Sequence, residues 1–365
     1  MFDGRVPYRD FFMEYPPGAL AVFLPADVFG VAHYNAAFKS LMALCGVATL
    51  FTIALLLVRL GASEPRIWVA SFLFALSPIA LGPISLNTYD AWPALLTVVA
   101  LALLLAGNGV AALALLGLAF AAKVYPVVLL PVALAFVWRT RGRRLMLGSL
   151  GAFAGAAAIL VAPFLVLAPH GLAESFRAQA GRGLQEESLF GSALAVADRI
   201  GVYGATIVHR AGRAISYDLA GSLPDALAVL SSVLQGLAVL AVVWLYLRGR
   251  GDPRRLTAAF AAAVIGFLAF TRFLSPQYLV WVVPFAVLLG PAVWVLVGLS
   301  LVLAQLWFFH YHHGALGGYF WLVLLRDLLL VVLYGVVLTR LRVRLPVKDQ
   351  NPVLLEDQAP LRITS

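Results

Sequence analysis

From residue 37 onward the chain is written mostly in apolar runs, each closed by a short polar break. A helix needs about twenty apolar residues to cross a bilayer core, and a helix satisfies all its own backbone groups there. The runs predict spans over about 37–60, 67–84, 91–106, 110–122, 124–138 and 145–167. Five more follow at about 226–247, 256–271, 278–289, 292–309 and 320–341. The period-two alternation of a membrane β-barrel is absent. The expected fold is an all-α integral membrane bundle of about eleven helices.

Three stretches depart from this pattern. The opening reads GRVPYRDFFMEYPP over residues 4–17, with Arg5, Arg9, Asp10 and Glu14 close together and paired prolines at Pro16 and Pro17. Those prolines bar a regular helix across them and bias Tyr15 towards an extended backbone. The apolar segment 19–25 is too short to span and is expected at the membrane interface. A polar insertion runs from 168 to 223, and a polar, proline-bearing tail from 342 to 365 is expected to be poorly ordered. No repeat and no soluble domain is visible, so residues 1–341 form one transmembrane domain with larger loops at 1–36 and 168–223.

Composition agrees. The chain is 62% hydrophobic and 12% charged with a mean hydropathy of +0.95, against about a quarter charged residues in soluble domains. The net charge of +9 does not point to nucleic acid, because the basic residues gather in short loops. One cluster is Arg139, Arg141, Arg143 and Arg144; a second is Arg248, Arg250, Arg254 and Arg255; a third is Arg340, Arg342, Arg344 and Lys348. Counted in alternation, all three fall on one side together with Arg59 and Arg66, and that side is expected to be cytoplasmic. Asn87, Asp90, the Lys123–Tyr125 break, the 272–278 break and the 310–313 histidine cluster then share the other side with the opening loop and the insertion. Polar residues at span depth mark function; here they converge on one face. Cys45, the single cysteine, sits in an apolar run and reads as packing. The first residues carry no signal-peptide core.

Several of these residues can carry chemistry. Asp10 and Glu14 are either a solvated loop pair or a general base near the bilayer. Lys123 is either a lysine snorkelling at a helix end or a cation for a lipid phosphate. Arg272 lies on the side the positive-inside rule does not favour, and its guanidinium suits phosphate. Tyr278 and Trp281 fit the aromatic belt better than catalysis. The HYHH string at 310–313 lacks a metal-ligand spacing, so no metal is expected. In GRGLQEES, residues 181–188, mixed charge reads as a solvated loop. Walker, HExxH and GxSxG signatures are absent.

Taken together, GRVPYRDFFMEYPPG, YDAWPALL at 89–96, KVYPVVLLP at 123–131, GRGLQEES and SPQYLVWVVP at 275–284 resemble the GT-C superfamily of polytopic glycosyltransferases. The nearest likeness is to bacterial polyprenol-phosphate-mannose-dependent mannosyltransferases. The resemblance implies transfer of a sugar, mannose first among the options, from a polyprenyl-phosphate donor to a cell-envelope glycan or glycolipid. It also implies an outward-facing site in the cell membrane and no cofactor beyond the donor itself. It makes Asp10, then Glu14, then Asp3 the candidate base, and Lys123, Arg272 and more weakly His310 the donor-phosphate ligands. Arg9, Tyr15, Asp90, Tyr125, Arg182, Gln185, Glu187, Gln277 and Tyr278 are its candidate substrate contacts.

One departure stands out. In such relatives a transmembrane helix and an acidic residue precede the GxxPYRDF-like string, whereas here Met1 lies just before it. Either that helix and its acid belong upstream, which would leave this chain inactive, or Asp10 or Glu14 does the work. A transporter or flippase of lipid-linked sugars is the alternative, and a non-catalytic scaffold a third. Transporters favour inverted repeats and mid-depth breaks, and neither is present.

Overall fold

A computed structural model describes residues 4–210, 216–312 and 319–342, with the side chains of 209, 210, 216, 311 and 312 left aside. Asp3, His313, Arg344, Lys348 and the tail from 343 lie outside the described residues.

After a 3-10 turn at Pro17–Ala19 come α1 (Leu20–Asp27), α2 (Gly30–Arg59), α3 (Glu64–Leu81), the single turn α4 (Ile84–Asn87), α5 (Ala91–Leu105) and α6 (Gly109–Ala122). A second 3-10 turn, Tyr125–Leu129, leads into α7 (Leu130–Leu167), which breaks at Gly142, whose φ of 84° favours glycine. The second half, Arg143–Leu167, is a full-length span. The insertion holds α8 (Pro169–Ala180), β1 (Leu184–Gln185), α9 (Leu189–Arg199), β2 (Thr206–Arg210) and β3 (Ser216–Ala220). Then follow α10 (Ser222–Arg248), α11 (Pro253–Ala269), a third 3-10 turn (Pro276–Trp281), α12 (Val283–Leu289), α13 (Pro291–His312) and α14 (Phe320–Arg342).

Six helices are long and apolar enough to cross a membrane, among them α2, α10, α13 and α14, and this is an all-α membrane protein. With the shorter passes α5, α6, the first half of α7, α11 and α12, the apolar runs of the sequence all reappear as helices. The main core joins α5, α6, α11 and α12, and α11 is buried along most of its length.

The basic residues do sit together. Arg59 donates to the Ala102 carbonyl at 2.9 Å, Arg66 to Leu288 at 2.9 Å, Arg255 to Leu341 at 2.5 Å and Arg340 to Leu289 at 2.6 Å. Arg139 donates to Tyr246 at 3.1 Å and to Gly249 at 2.8 Å. Each guanidinium meets carbonyls near a helix C-terminus, where orphan acceptors and the negative dipole end favour a cation. One end of the bundle is therefore basic. Asp90, Lys123 and Arg272 all lie at the opposite end of the same helices.

In the segment 19–25, Ala19, Leu20 and Val22 are buried and pack with Ala26, Phe38, Met42 and Tyr89 in a second core. One expectation fails here. The insertion is not a solvated loop. Its strands form an antiparallel sheet in the order β1-β3-β2, and Leu184, Leu194, Leu219 and Ala228 make it a core of its own.

Candidate active site

The opening loop is shaped by contacts rather than by regular structure. Tyr8 takes φ 66°, the single positive value outside glycine among the described residues. Burial, a hydrogen bond from its hydroxyl to the Tyr15 carbonyl at 2.5 Å and an edge contact with Phe164 at 5.1 Å hold it there. Behind the prolines, Gly18 lies against the end of α6: an added Cβ would come within 2.5 Å of the Ala122 nitrogen. The loop is thus pressed onto the residue preceding Lys123.

Lys123 stands where α6 ends and takes an extended backbone. Its side chain is largely buried. Its ammonium lies 2.5 Å from Asp90 Oδ1 and sits over the rings of Tyr89 (4.6 Å), Tyr278 (4.7 Å) and Trp281 (5.0 Å). Trp281 Nε1 donates to the same Asp90 oxygen at 2.7 Å. Trp281 also stacks on Tyr125 at 3.9 Å and on Tyr278 at 4.4 Å. An ammonium so enclosed by aromatic faces is held by cation–π attraction as well as by its counter-ion. Trp281 is 2% exposed, so it is a buried ligand of Asp90 and not a belt anchor. Tyr125 is equally buried, its hydroxyl 3.4 Å from Thr97 Oγ1, and it supports Trp281 from below.

Glu14 reaches the same place from the loop. Its carboxylate accepts from Gln179 Nε2 at 3.0 Å and from the Arg182 guanidinium. Its carbonyl accepts from Ser175 Oγ at 3.1 Å and from Gln179 Nε2 at 3.3 Å. Ser175 and Gln179 are four apart and share one face of α8, so a single helix face reads this residue. The charges of Glu14 and Arg182 both act on Lys123 and on Tyr278. Tyr15 closes the gap, its ring 4.8 Å from that of Tyr89. Glu14, Arg182, Lys123, Asp90, Tyr15 and Tyr278 therefore form one cluster.

Asp10, expected first as the base, is not in it. Asp10 pairs with Arg9 at 2.9 Å and accepts from the Val6 amide at 2.6 Å. Those bonds, the one from Arg9 foremost, pull its carboxyl down to about 2. Arg9 is committed to it. Arg272 donates to the Ala180 carbonyl at 2.6 Å, two residues before Arg182. His310 stacks on Tyr319 at 3.8 Å. Gln277 is half-buried in the third 3-10 turn.

The string GRGLQEES departs furthest from its reading as solvated. Gln185, Glu186 and Glu187 are all buried. Burial pushes the Glu186 carboxyl up to about 7, with Asp218 adding to it, and Glu187 to about 8 despite the opposing charge of Arg326. The sequence reading passed over Arg326 and Asp327 altogether, although ionisable residues inside a span are the signal that marks such positions. Tyr89 and Gln179 were also missed.

An apolar cavity of about 310 Å³ is lined by Met42, Leu50, Leu81, Ala91, Val280 and Val283 among others. Two of these residues, Ala91 and Val280, are chain neighbours of Asp90 and Trp281. Among the described residues no three His, Cys, Asp or Glu side chains are arranged to hold a metal ion.

The sequence profile of glycosyltransferase family 87 matches residues 12–271. The chain belongs to glycosyltransferase family 87. This is a GT-C-type family of polytopic membrane proteins, and the protein is accordingly a membrane glycosyltransferase. The GT-C resemblance read from the five strings holds. Within the family 87 match lie Glu14, Asp90, Lys123 and Arg182; Tyr278, Trp281 and the last three helices follow it. No curated protein matches the chain.

Proposed function

We propose that this glycosyltransferase moves a sugar, mannose, from a polyprenyl-phosphate donor to a cell-envelope glycan or glycolipid at the extracytoplasmic face. The observations that carry the reading are the enclosed Lys123 ammonium and an apolar cavity of about 310 Å³ whose lining includes Ala91 and Val280, chain neighbours of Asp90 and Trp281. A lipid phosphate presents one group for each: an anion for the lysine, an isoprenoid for the cavity. A nucleotide sugar would use only the first.

The cluster suggests how transfer runs. Glu14 accepts the proton of the acceptor hydroxyl as its oxygen attacks the anomeric carbon. The bond from that carbon to the phosphate oxygen breaks, and the phosphate leaves with the electron pair. Lys123 stabilises the charge that grows on it, in a setting shielded from water where such a contact counts most. A single displacement of this kind inverts the anomeric centre. Asp90 and Trp281 hold the lysine; Arg182 and Gln179 hold the base. Arg272 and His310 drop from the phosphate set on this reading, and Asp10 gives way to Glu14.

The test uses purified full-length protein in lipid nanodiscs with radiolabelled polyprenyl-phosphate mannose and a membrane glycolipid extract. A new glycosidic product is expected, lost in Lys123→Ala and in Glu14→Gln. Undiminished product in Lys123→Ala overturns the site. Label that crosses a vesicle bilayer without forming a glycosidic bond overturns the reaction in favour of transport.

A further inference from the structure

The last span carries two ionisable neighbours, Arg326 and Asp327, which are 0% and 1% exposed. Charge at that depth is costly unless well partnered, and the partners here reach beyond the pair. Arg326 donates through Nε to Asp327 Oδ1 at 2.8 Å and through Nη2 to the Glu187 carbonyl at 2.5 Å. Asp327 Oδ2 accepts from Ser192 Oγ at 3.4 Å. One turn of α14 thus grips both the 185–188 turn and the first turn of α9.

From that turn hangs the candidate site. Three residues before it Arg182 pairs with Glu14, and the Gln185 amide donates to the Arg272 carbonyl at 2.9 Å. Ser188 closes the turn, its hydroxyl donating to the Gln185 carbonyl at 2.7 Å and accepting from the Gly191 amide at 3.3 Å. A displacement of the turn therefore passes along a short, hydrogen-bonded stretch to the Arg182 fork. We propose that Arg326, oriented by Asp327, is a positioning residue that fixes the 185–188 turn and through it sets Arg182 against Glu14. The proposal rests on the reading of Glu14 as the base. It also gives the helices beyond the family 87 match a part in the reaction.

A buried ion pair kept only for stability can be replaced by apolar side chains of similar volume at little cost or with gain. A pair that positions a turn cannot. The full-length protein in nanodiscs is compared with Arg326→Lys, which keeps the charge but not the two-pronged fork, and with the double variant Arg326→Met/Asp327→Leu. Hydrogen exchange is expected to quicken at least tenfold over residues 181–188 and 12–17 in both variants, with the basic end of α14 unchanged. The double variant is expected to melt no lower than the wild type. Since a misplacement of about 1 Å costs up to about 100-fold, kcat for sugar transfer should fall 10- to 100-fold while the donor KM stays within twofold.

Wild-type exchange and kcat in the double variant overturn the proposal. If Arg326→Lys fails to fold, the double variant decides alone. Exchange that quickens in the variants of a protein that never uses the polyprenyl donor leaves the positioning role standing and sinks the donor reading. Transfer that proceeds with neither quantity changed does the reverse.

Discussion

The two carboxylates of the opening loop lie four residues apart and live in different surroundings. Asp10 faces solvent with Arg9; Glu14 is enclosed by Gln179 and Arg182. A general base contributes about 10²- to 10⁴-fold, so Glu14→Gln should lower kcat by that order while Asp10→Asn stays within about threefold, measured by initial rates of sugar transfer. Comparable losses in both variants would return Asp10 to the site. A second expectation concerns Trp281, whose ring nitrogen serves Asp90. Trp281→Phe keeps a ring over Tyr125 but leaves a buried carboxylate oxygen one donor short, at a cost of about 1–3 kcal/mol. Thermal unfolding in detergent should report it, and donor KM should rise because Asp90, still the counter-ion of Lys123, loses the donor that holds it. Residue types were legible in the sequence: Lys123 and Asp90 stood out as charge beside apolar runs. Their pairing was not, because 33 residues and a whole hairpin of helices separate them. Asp10 and Glu14 each pair with an arginine, Asp10 with its chain neighbour Arg9 and Glu14 with the distant Arg182. No periodicity distinguishes those pairings.

At the scale of elements, the 3-10 turn at Pro17–Ala19 is the joint between loop and bundle. Gly18 has backbone of α6 within 2.5 Å of where a Cβ would stand. Gly18→Ala should therefore push the loop off α6, lowering kcat by tenfold or more and raising protease cleavage before residue 20. Normal rates with an intact loop would show that the joint can yield. The insertion makes a pH prediction. Glu187 lies near 8 when folded, faced by Arg326, Glu186 and Asp327, and a free glutamate titrates near 4.5. The folded form then binds the extra proton between those values, so this contribution to stability is whole at low pH and falls as pH rises from about 4.5 to 8. Protection factors over 181–199, which remove the base catalysis of free amides, should be higher at pH 5.5 than at pH 8, and Glu187→Gln should lessen the difference while Glu186 keeps the rest. An unchanged slope in that variant would assign it to another group. The spans were legible because a 15- to 30-residue apolar run can satisfy its backbone in lipid in only one way. The insertion was not. Its buried carboxylates are paid for by partners in α14, over a hundred residues away, and composition alone read them as solvated.

For the whole molecule, alternation of spans put every basic cluster at one end, and the guanidinium–carbonyl contacts agree. The positive-inside rule would put that end in the cytoplasm, and the orientation is directly measurable. With Cys45→Ala as background, Gly201→Cys should react with a membrane-impermeant maleimide added to intact cells, and Arg250→Cys only after lysis. The opposite pattern would turn the site inward and end the extracytoplasmic proposal.

The lengths of α5 and α6 have a bearing on how such a site is reached. Their 15 and 14 residues rise only about 21–23 Å at 1.5 Å each, against a hydrocarbon layer of about 30 Å. Were the arginine rim at one boundary, helices of that length would leave Lys123 several ångströms short of the other. On the proposed donor, a phosphate meeting Lys123 would leave the headgroup plane and sink, drawing its isoprenoid sideways between helices. Entry from the leaflet, rather than descent from the aqueous phase, is the route the proposal then calls for.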